Sequence, residues 1–243
     1  MALIEAKGLS RSFGDEQAVD GVDLVVEEGE VHALVGLNGA GKTTLMRLLL
    51  GMLRADAGTA SIAGTDVAGA RPSTWREVGY LVETPFFYPE LTTRENVRVA
   101  GILHGLDQTE LERSVTGTID ILELGHWAER RARGLSSGNR QRLGLAAALV
   151  HDPRVLLLDE PANALDPAGV VLVRDLLRDR AARGTAILVS SHHLDQLARV
   201  ADVITVMHRG RVVGGLDPTE GDLEQRLFDL VSEADERIPL EQR

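Results

Sequence analysis

The stretch that most constrains this chain is residues 31 to 50, VHALVGLNGAGKTTLMRLLL. An apolar run, Val31 to Val35, meets glycine at Gly36, and a helix-forming run follows Lys42. Gly36, four residues, then Gly41, Lys42 and Thr43 fit the spacing of a phosphate-binding loop without a gap. Gly36, Gly39 and Gly41 lack a Cβ, so the backbone can curl and point several N–H groups at one phosphate. A helix starting near Lys42 adds its positive dipole end to the same anion. Lys42 can reach the β- and γ-phosphates, and the Thr43 hydroxyl is placed to ligate Mg²⁺. The expected ligand is a nucleoside triphosphate with Mg²⁺, held by Gly36, Leu37, Asn38, Gly39, Ala40, Gly41, Lys42, Thr43 and Thr44. A glycine-rich turn before an ordinary helix would explain the glycines but not the Lys-Thr pair in this context.

Such a loop demands an α/β core, and the flanking patterns supply one. Leu3-Ile4-Glu5-Ala6 begins a strand, Gly21 to Val26 alternates with period two, and GTASIAGTDV is a second turn-rich strand region. Together they predict an N-terminal antiparallel β subdomain. Val78 to Val82 reads as a buried strand ending at Glu83. From 84 to 150 the pattern turns helical. Pro85 and Pro89 bracket Phe86-Phe87-Tyr88, Thr92 and Glu95 have capping-box spacing, and helices are expected over 107–123 and 139–150. This predicts a helical subdomain, 84–150, inserted between core segments 1–83 and 151–220. A helix over 169–183 and strands at 185–190, 203–207 and 211–213 complete a mostly parallel sheet. In the acidic tail, 221–243, Leu223, Leu227, Leu230 and Val231 share one helical face, which predicts a docked helix.

Arg154 to Glu160 is an apolar strand ending in two acids, at the end of a parallel strand where ligands bind in open α/β sheets. Asp159 is the candidate metal ligand, and Glu160 the candidate group to orient or deprotonate an attacking water. His192, after the next buried strand, either meets the γ-phosphate or is a hydrogen-bonded loop residue. His32, His104, His126, His151 and His208 show no metal-ligand spacing. Phe13 either stacks on the base or plugs the small β-core.

Composition narrows the function classes. A net charge of −11 with no basic stripe argues against nucleic-acid binding. Zero cysteines exclude disulfides and thiolate metal sites. No apolar run of about 18 residues is present, and the N-terminus lacks a signal peptide's apolar centre. The expectation is a cytoplasmic chain with no direct membrane insertion, reaching a membrane only through a partner.

The segment LSSGNRQRLGLAAALVHDPRVLLLDEPANALDP, 135–167, resembles the signature-to-Walker-B block of ATP-binding-cassette (ABC) nucleotide-binding domains. The family's Leu-Ser-Gly-Gly-Gln stands here as Leu135-Ser136-Ser137-Gly138-Asn139. The resemblance runs from residue 3 to about 215, with each motif in the family's order. It implies a P-loop NTPase fold and two copies facing head to tail as a homodimer. ATP would lie between the P-loop of one copy and Ser136 and Gly138 of the other. It also implies a D-loop ending at Asp166, a switch role for His192, adenine stacking by Phe13, and catalytic roles for Lys42, Glu160 and His192. Most members carry glutamine at the position of Glu83, where it meets Mg²⁺ or the lytic water; Thr43, Asp159 and Glu83 would thus surround the metal. Glutamate there, followed by PFFYPELTTRENV, is similar to the ATPases of bacitracin-resistance and lantibiotic-immunity exporters. The implied function is ATP hydrolysis powering export of an antibiotic, peptide or lipid-like compound through a separate integral-membrane permease. That would hold the chain on the inner face of the cell membrane, with Phe86-Phe87-Tyr88 gripping a short helix of the permease. A metabolite importer's ATPase and a soluble ABC ATPase are the alternatives. One cassette, no sustained heptads and an acidic charge count against the latter.

Overall fold

The computed structural model describes residues 1–192 and 194–236, the Gln196 side chain aside. Period-two alternation at the start of the chain becomes two long antiparallel strands, β1 (Ala2–Phe13) and β2 (Glu16–Glu27). The apolar run before Gly36 is β3 (Val31–Val35), buried at every position, and α1 (Lys42–Leu49) follows the glycine loop. Next come β4 (Ala57–Ile62) and β5 (Thr65–Asp66), joined by Ala63-Gly64. Both turn residues have positive φ, 48° and 75°, as the tightest hairpin connection requires. A short helix, α2 (Pro72–Trp75), leads into β6 (Val78–Leu81).

The helical insert comprises α3 (Thr93–Leu103), α4 (Gln108–Ile121) and α5 (Ser137–Leu149). Thr92 and Glu95 form the predicted capping box at the start of α3. Thereafter β7 (Val155–Asp159), α6 (Pro167–Ala182), β8 (Ala186–Ser191), α7 (Leu194–Ala198), β9 (Val203–His208), β10 (Arg211–Leu216) and α8 (Leu223–Glu236) complete the described chain. Two helices begin earlier than their periodicity suggests, because Ser136 caps α5 and Asp166, followed by Pro167, caps α6.

Strands β2-β1-β4-β5 form an antiparallel sheet, and β10-β9-β3-β8-β7-β6 a second sheet, parallel except at β10. Alternation along the parallel strands divides the interior in two. Leu156, Leu158, Ile187 and Val189 join the core made with α3 to α6, while Val155, Leu157, Ala186 and Leu188 join the core made with α1 and the antiparallel sheet. The sheet is therefore apolar on both faces, as a parallel sheet covered on both sides must be. The predicted tail face is present: Leu223, Leu227, Leu230 and Val231 of α8 pack on the first core. Residues 237–243 of that tail lie outside the described residues. Among the described residues, no helix is long and apolar enough to cross a membrane.

Candidate functional site

The glycines of the loop after β3 are required for different reasons. A Cβ on Gly36 would lie 2.2 Å from the Met207 carbonyl oxygen, and one on Gly41 2.3 Å from that of Ala18. Gly39 has open space around it but sits at φ +81°, so there the constraint is conformational. The loop is pinned from β9–β10, where the Gly210 N–H donates to the Ala40 carbonyl (2.9 Å) and Asp20 N–H to the Gly210 carbonyl (2.8 Å). Gly41 stands at the N-cap of α1 and offers no side chain to the first-turn amides. Those amides and the helix dipole favour an anion. Lys42 Nζ donates to the carbonyls of Gly36 (2.6 Å) and Leu37 (3.2 Å), which holds the ammonium across the loop. Burial lowers its pKa, and the charges of Glu160 and Asp159 oppose that shift.

Strand β7 delivers its two acids to the same place. Thr43 Oγ1 donates to Asp159 Oδ2 at 2.6 Å, and Ser190 Oγ donates to Asp159 Oδ1. The Glu160 N–H in turn donates to Ser190 Oγ at 3.1 Å, and Glu160 Oε1 lies 2.9 Å from His192 Nδ1. Glu160 has φ +51°, a left-handed conformation that a side chain adopts only when its surroundings hold it. Its carbonyl is held by Gln141 Nε2 (3.2 Å), which also reaches the Pro161 carbonyl (3.1 Å). Phe13, Glu16, Ala18, the loop residues Asn38 to Thr44, Asp159 and Glu160 line one cleft. Phe13 does not plug the β-core. The residue is 45 % exposed on the rim, with the Arg11 guanidinium 5.0 Å from the ring centre.

Other predicted residues lie elsewhere. Glu83, at φ +64°, pairs with Arg47 of α1 and is not among the residues lining this cleft, so in this structure it faces a guanidinium rather than the Thr43–Asp159 pair. Leu135 is buried, and Ser136, Ser137, Gly138 and Asn139 open α5 away from the cleft lining. Ser136 Oγ accepts from the Asn139 N–H at 3.3 Å. A Cβ on Gly138 would lie 2.9 Å from the Ala164 carbonyl, so the signature turn rests on the segment leading to Asp166. Asp166 itself accepts from the Gly169 N–H at 2.8 Å.

Ser190 and Gln141 carry no motif of their own in the sequence. Neither a serine near the end of an apolar strand nor a glutamine between two arginines signals its role; both side chains are buried. The arrangement provides an anion cradle beside an oxygen pair suited to a hard cation, and a carboxylate backed by an imidazole. Among the described residues no cluster of three or more acidic, histidine or cysteine groups is placed to hold a metal alone. Thr43 and Asp159, an oxygen pair 2.6 Å apart, are the residues that would hold a hard cation such as Mg²⁺.

The ABC transporter family profile matches residues 19–163. The bacitracin transport ATP-binding protein BcrA of Enterococcus faecalis is 34 % identical over 238 residues, 97 % of this chain and 76 % of that relative. The Nod factor export ATP-binding protein I of Ralstonia nicotianae is 34 % identical over 218 residues, 90 % of this chain and 68 % of its own length. A solved structure of the ATP-binding subunit of an ABC transporter superposes with a TM-score of 0.83 at 31 % identity, covering 94 % of each chain.

Proposed function

The chain belongs to the ABC transporter family, whose ATP-binding subunits hydrolyse ATP, and on that premise we propose that it powers export of an antibiotic, peptide or lipid-like compound through a separate membrane permease. The observation that carries the catalytic reading is the unbroken hydrogen-bonded run Thr43–Asp159–Ser190–Glu160–His192 beside the loop of Lys42. Relatives that transport bacitracin or export Nod factor support the direction and the cargo class.

In this reading the amides from Gly39 to Thr44 and the Lys42 ammonium bind the ATP phosphates, and Phe13 stacks on the adenine. Thr43 and Asp159 would hold a Mg²⁺, whose charge would offset that of the phosphates. Glu160 takes the proton of the attacking water, and His192 holds the carboxylate in orientation. Glu83 reaches this centre only by leaving Arg47. The signature, Leu135 to Asn139, does not line its own chain's cleft, which supports a homodimer in which Ser136 and Gly138 complete the partner's site. Asp166 would lie at the seam between copies.

A second cavity supports the permease contact. Tyr80, Phe86, Phe87, Tyr88, Leu103 and Leu143 line an apolar groove between β6 and the helical insert. Phe86 is 78 % and Tyr88 44 % exposed, while Phe87 packs on the core. Exposed aromatics with few charges suit a protein partner's helix. The chain would then sit peripherally on the inner face of the cell membrane.

The test is a tagged pull-down from detergent-solubilised membranes, with co-purifying proteins identified by mass spectrometry. A stoichiometric polytopic partner lacking its own cassette is expected, and its sequence would lead to the cargo. Recovery of soluble proteins alone would sink the export reading.

A further inference from the structure

Gln141 lies five residues after Ser136 on the helix that the signature opens. Only 7 % of its surface is exposed, and its amide is the donor to two successive carbonyls, those of Glu160 and Pro161. Glu160 is therefore gripped from both sides: Ser190 of β8 accepts its N–H, and Gln141 of α5 donates to its carbonyl. A left-handed glutamate persists only while its surroundings hold it, so both grips bear on where the carboxylate points. The same helix touches the downstream end of this segment, where Gly138 closes on the Ala164 carbonyl.

We propose that Gln141 is a positioning residue coupling the signature to the catalytic carboxylate of its own chain. It rests on the ATPase reading above. When ATP in the partner's P-loop engages Ser136 and Gly138, α5 is drawn at its N-terminus. Gln141 passes that displacement to the Glu160 and Pro161 carbonyls. ATP bound in one site thereby sets the glutamate of the other. Packing alone would make Gln141 merely the donor that satisfies two buried carbonyls, with consequences for stability only.

The experiment uses the full chain and two variants, Gln141→Met, which keeps the volume without the donors, and Gln141→Glu, which keeps size and polarity without a donor when ionised. Steady-state hydrolysis against ATP concentration, equilibrium binding of a fluorescent ATP analogue and thermal melting are measured on each. The coupling predicts a wild-type rate that rises sigmoidally with ATP, and in the variants a kcat lower by about tenfold, the size of one lost buried hydrogen bond, with loss of that sigmoid dependence. ATP binding stays at the wild-type level, and the melting temperature falls only as far as two buried carbonyls without a donor require, so turnover is read well below it. If Gln141→Met does not fold, Gln141→Glu is read by the same criteria. Unchanged kcat and sigmoidicity, or losses that track melting temperature or ATP binding, overturn the inference. A wild-type chain without turnover overturns the ATPase reading and this inference with it; equal turnover in wild type and variants overturns this inference alone.

Discussion

Glu160 combines a strained backbone with a carboxylate 2.9 Å from an imidazole, and the two facts belong together. The left-handed turn aims the side chain back toward β8 and His192 while Asp159, one residue earlier, keeps its place on Thr43. Glu160→Gln preserves shape and both backbone anchors but removes the proton acceptor. Turnover should fall by about a hundredfold or more, with ATP affinity retained and an ATP-bound dimer accumulating in size-exclusion chromatography. Normal turnover would remove Glu160 from this role. The acids were legible in the sequence because an apolar strand ending in Asp-Glu, downstream of a phosphate loop, has few other uses. Ser190 and Gln141 were not, since each acts on the peptide groups of a residue far away in sequence. The pairing of Glu83 with Arg47 was hidden for a related reason: the position of Glu83 in the chain says nothing of Arg47.

Among elements, α3 shows how a helix start can organise a loop. Asn96, in its first turn, accepts the Tyr88 N–H (2.7 Å) and donates to the carbonyls of Tyr88 (3.0 Å) and Thr92 (2.9 Å). The side chain is buried, so truncation leaves several backbone groups without partners. Asn96→Ala should lower stability by about 1–3 kcal/mol, read as a shift in urea midpoint at unchanged m-value. An unchanged midpoint would show that the loop holds its form without this hub. Helices with capping signals, such as Thr92…Glu95, were readable to within a residue or two. Helices α5 and α6 start two residues before the expected 139 and 169, because Ser136 and Asp166 cap them as well as belonging to motifs. Helices α2 and α7 span four and five residues, too few to show a period.

At the scale of the whole molecule, the helical insert meets the sheet through a pair of imidazoles. His104 and His151 stack with ring centres 3.6 Å apart, and His151 Nε2 lies 3.2 Å from the Val78 carbonyl. Burial, then the neighbouring His104, pushes the His151 pKa down to about 3, with Arg180 adding to the effect. The folded chain thus keeps His151 neutral. Below about pH 6.5 the unfolded chain gains a proton there that the folded chain refuses, so stability falls as pH drops toward 3. Between pH 6.5 and 5 this one group removes about 2 kcal/mol. Melting temperatures at pH 7 and pH 5 should show the loss, and His151→Leu should start lower but vary less with pH. An equally steep variant would place the acid sensitivity elsewhere.

The fold class was legible from a single loop and the order of motifs, but the strand order was not, since the apolar runs that mark buried parallel strands do not say which strand lies beside which. Strand β3 carries the phosphate loop, yet its neighbours, β8 and β9, begin only at Ala186 and Val203. The turn that pins the loop, at Gly210, comes later still. On a ribosome adding about 5–20 residues per second, roughly ten to thirty seconds separate the making of the loop from the making of its supports. A nascent chain already displaying Gly36 to Thr44 therefore has no finished nucleotide site. A chain cut short before Gly210 is left without the clasp that shapes its first-made motif.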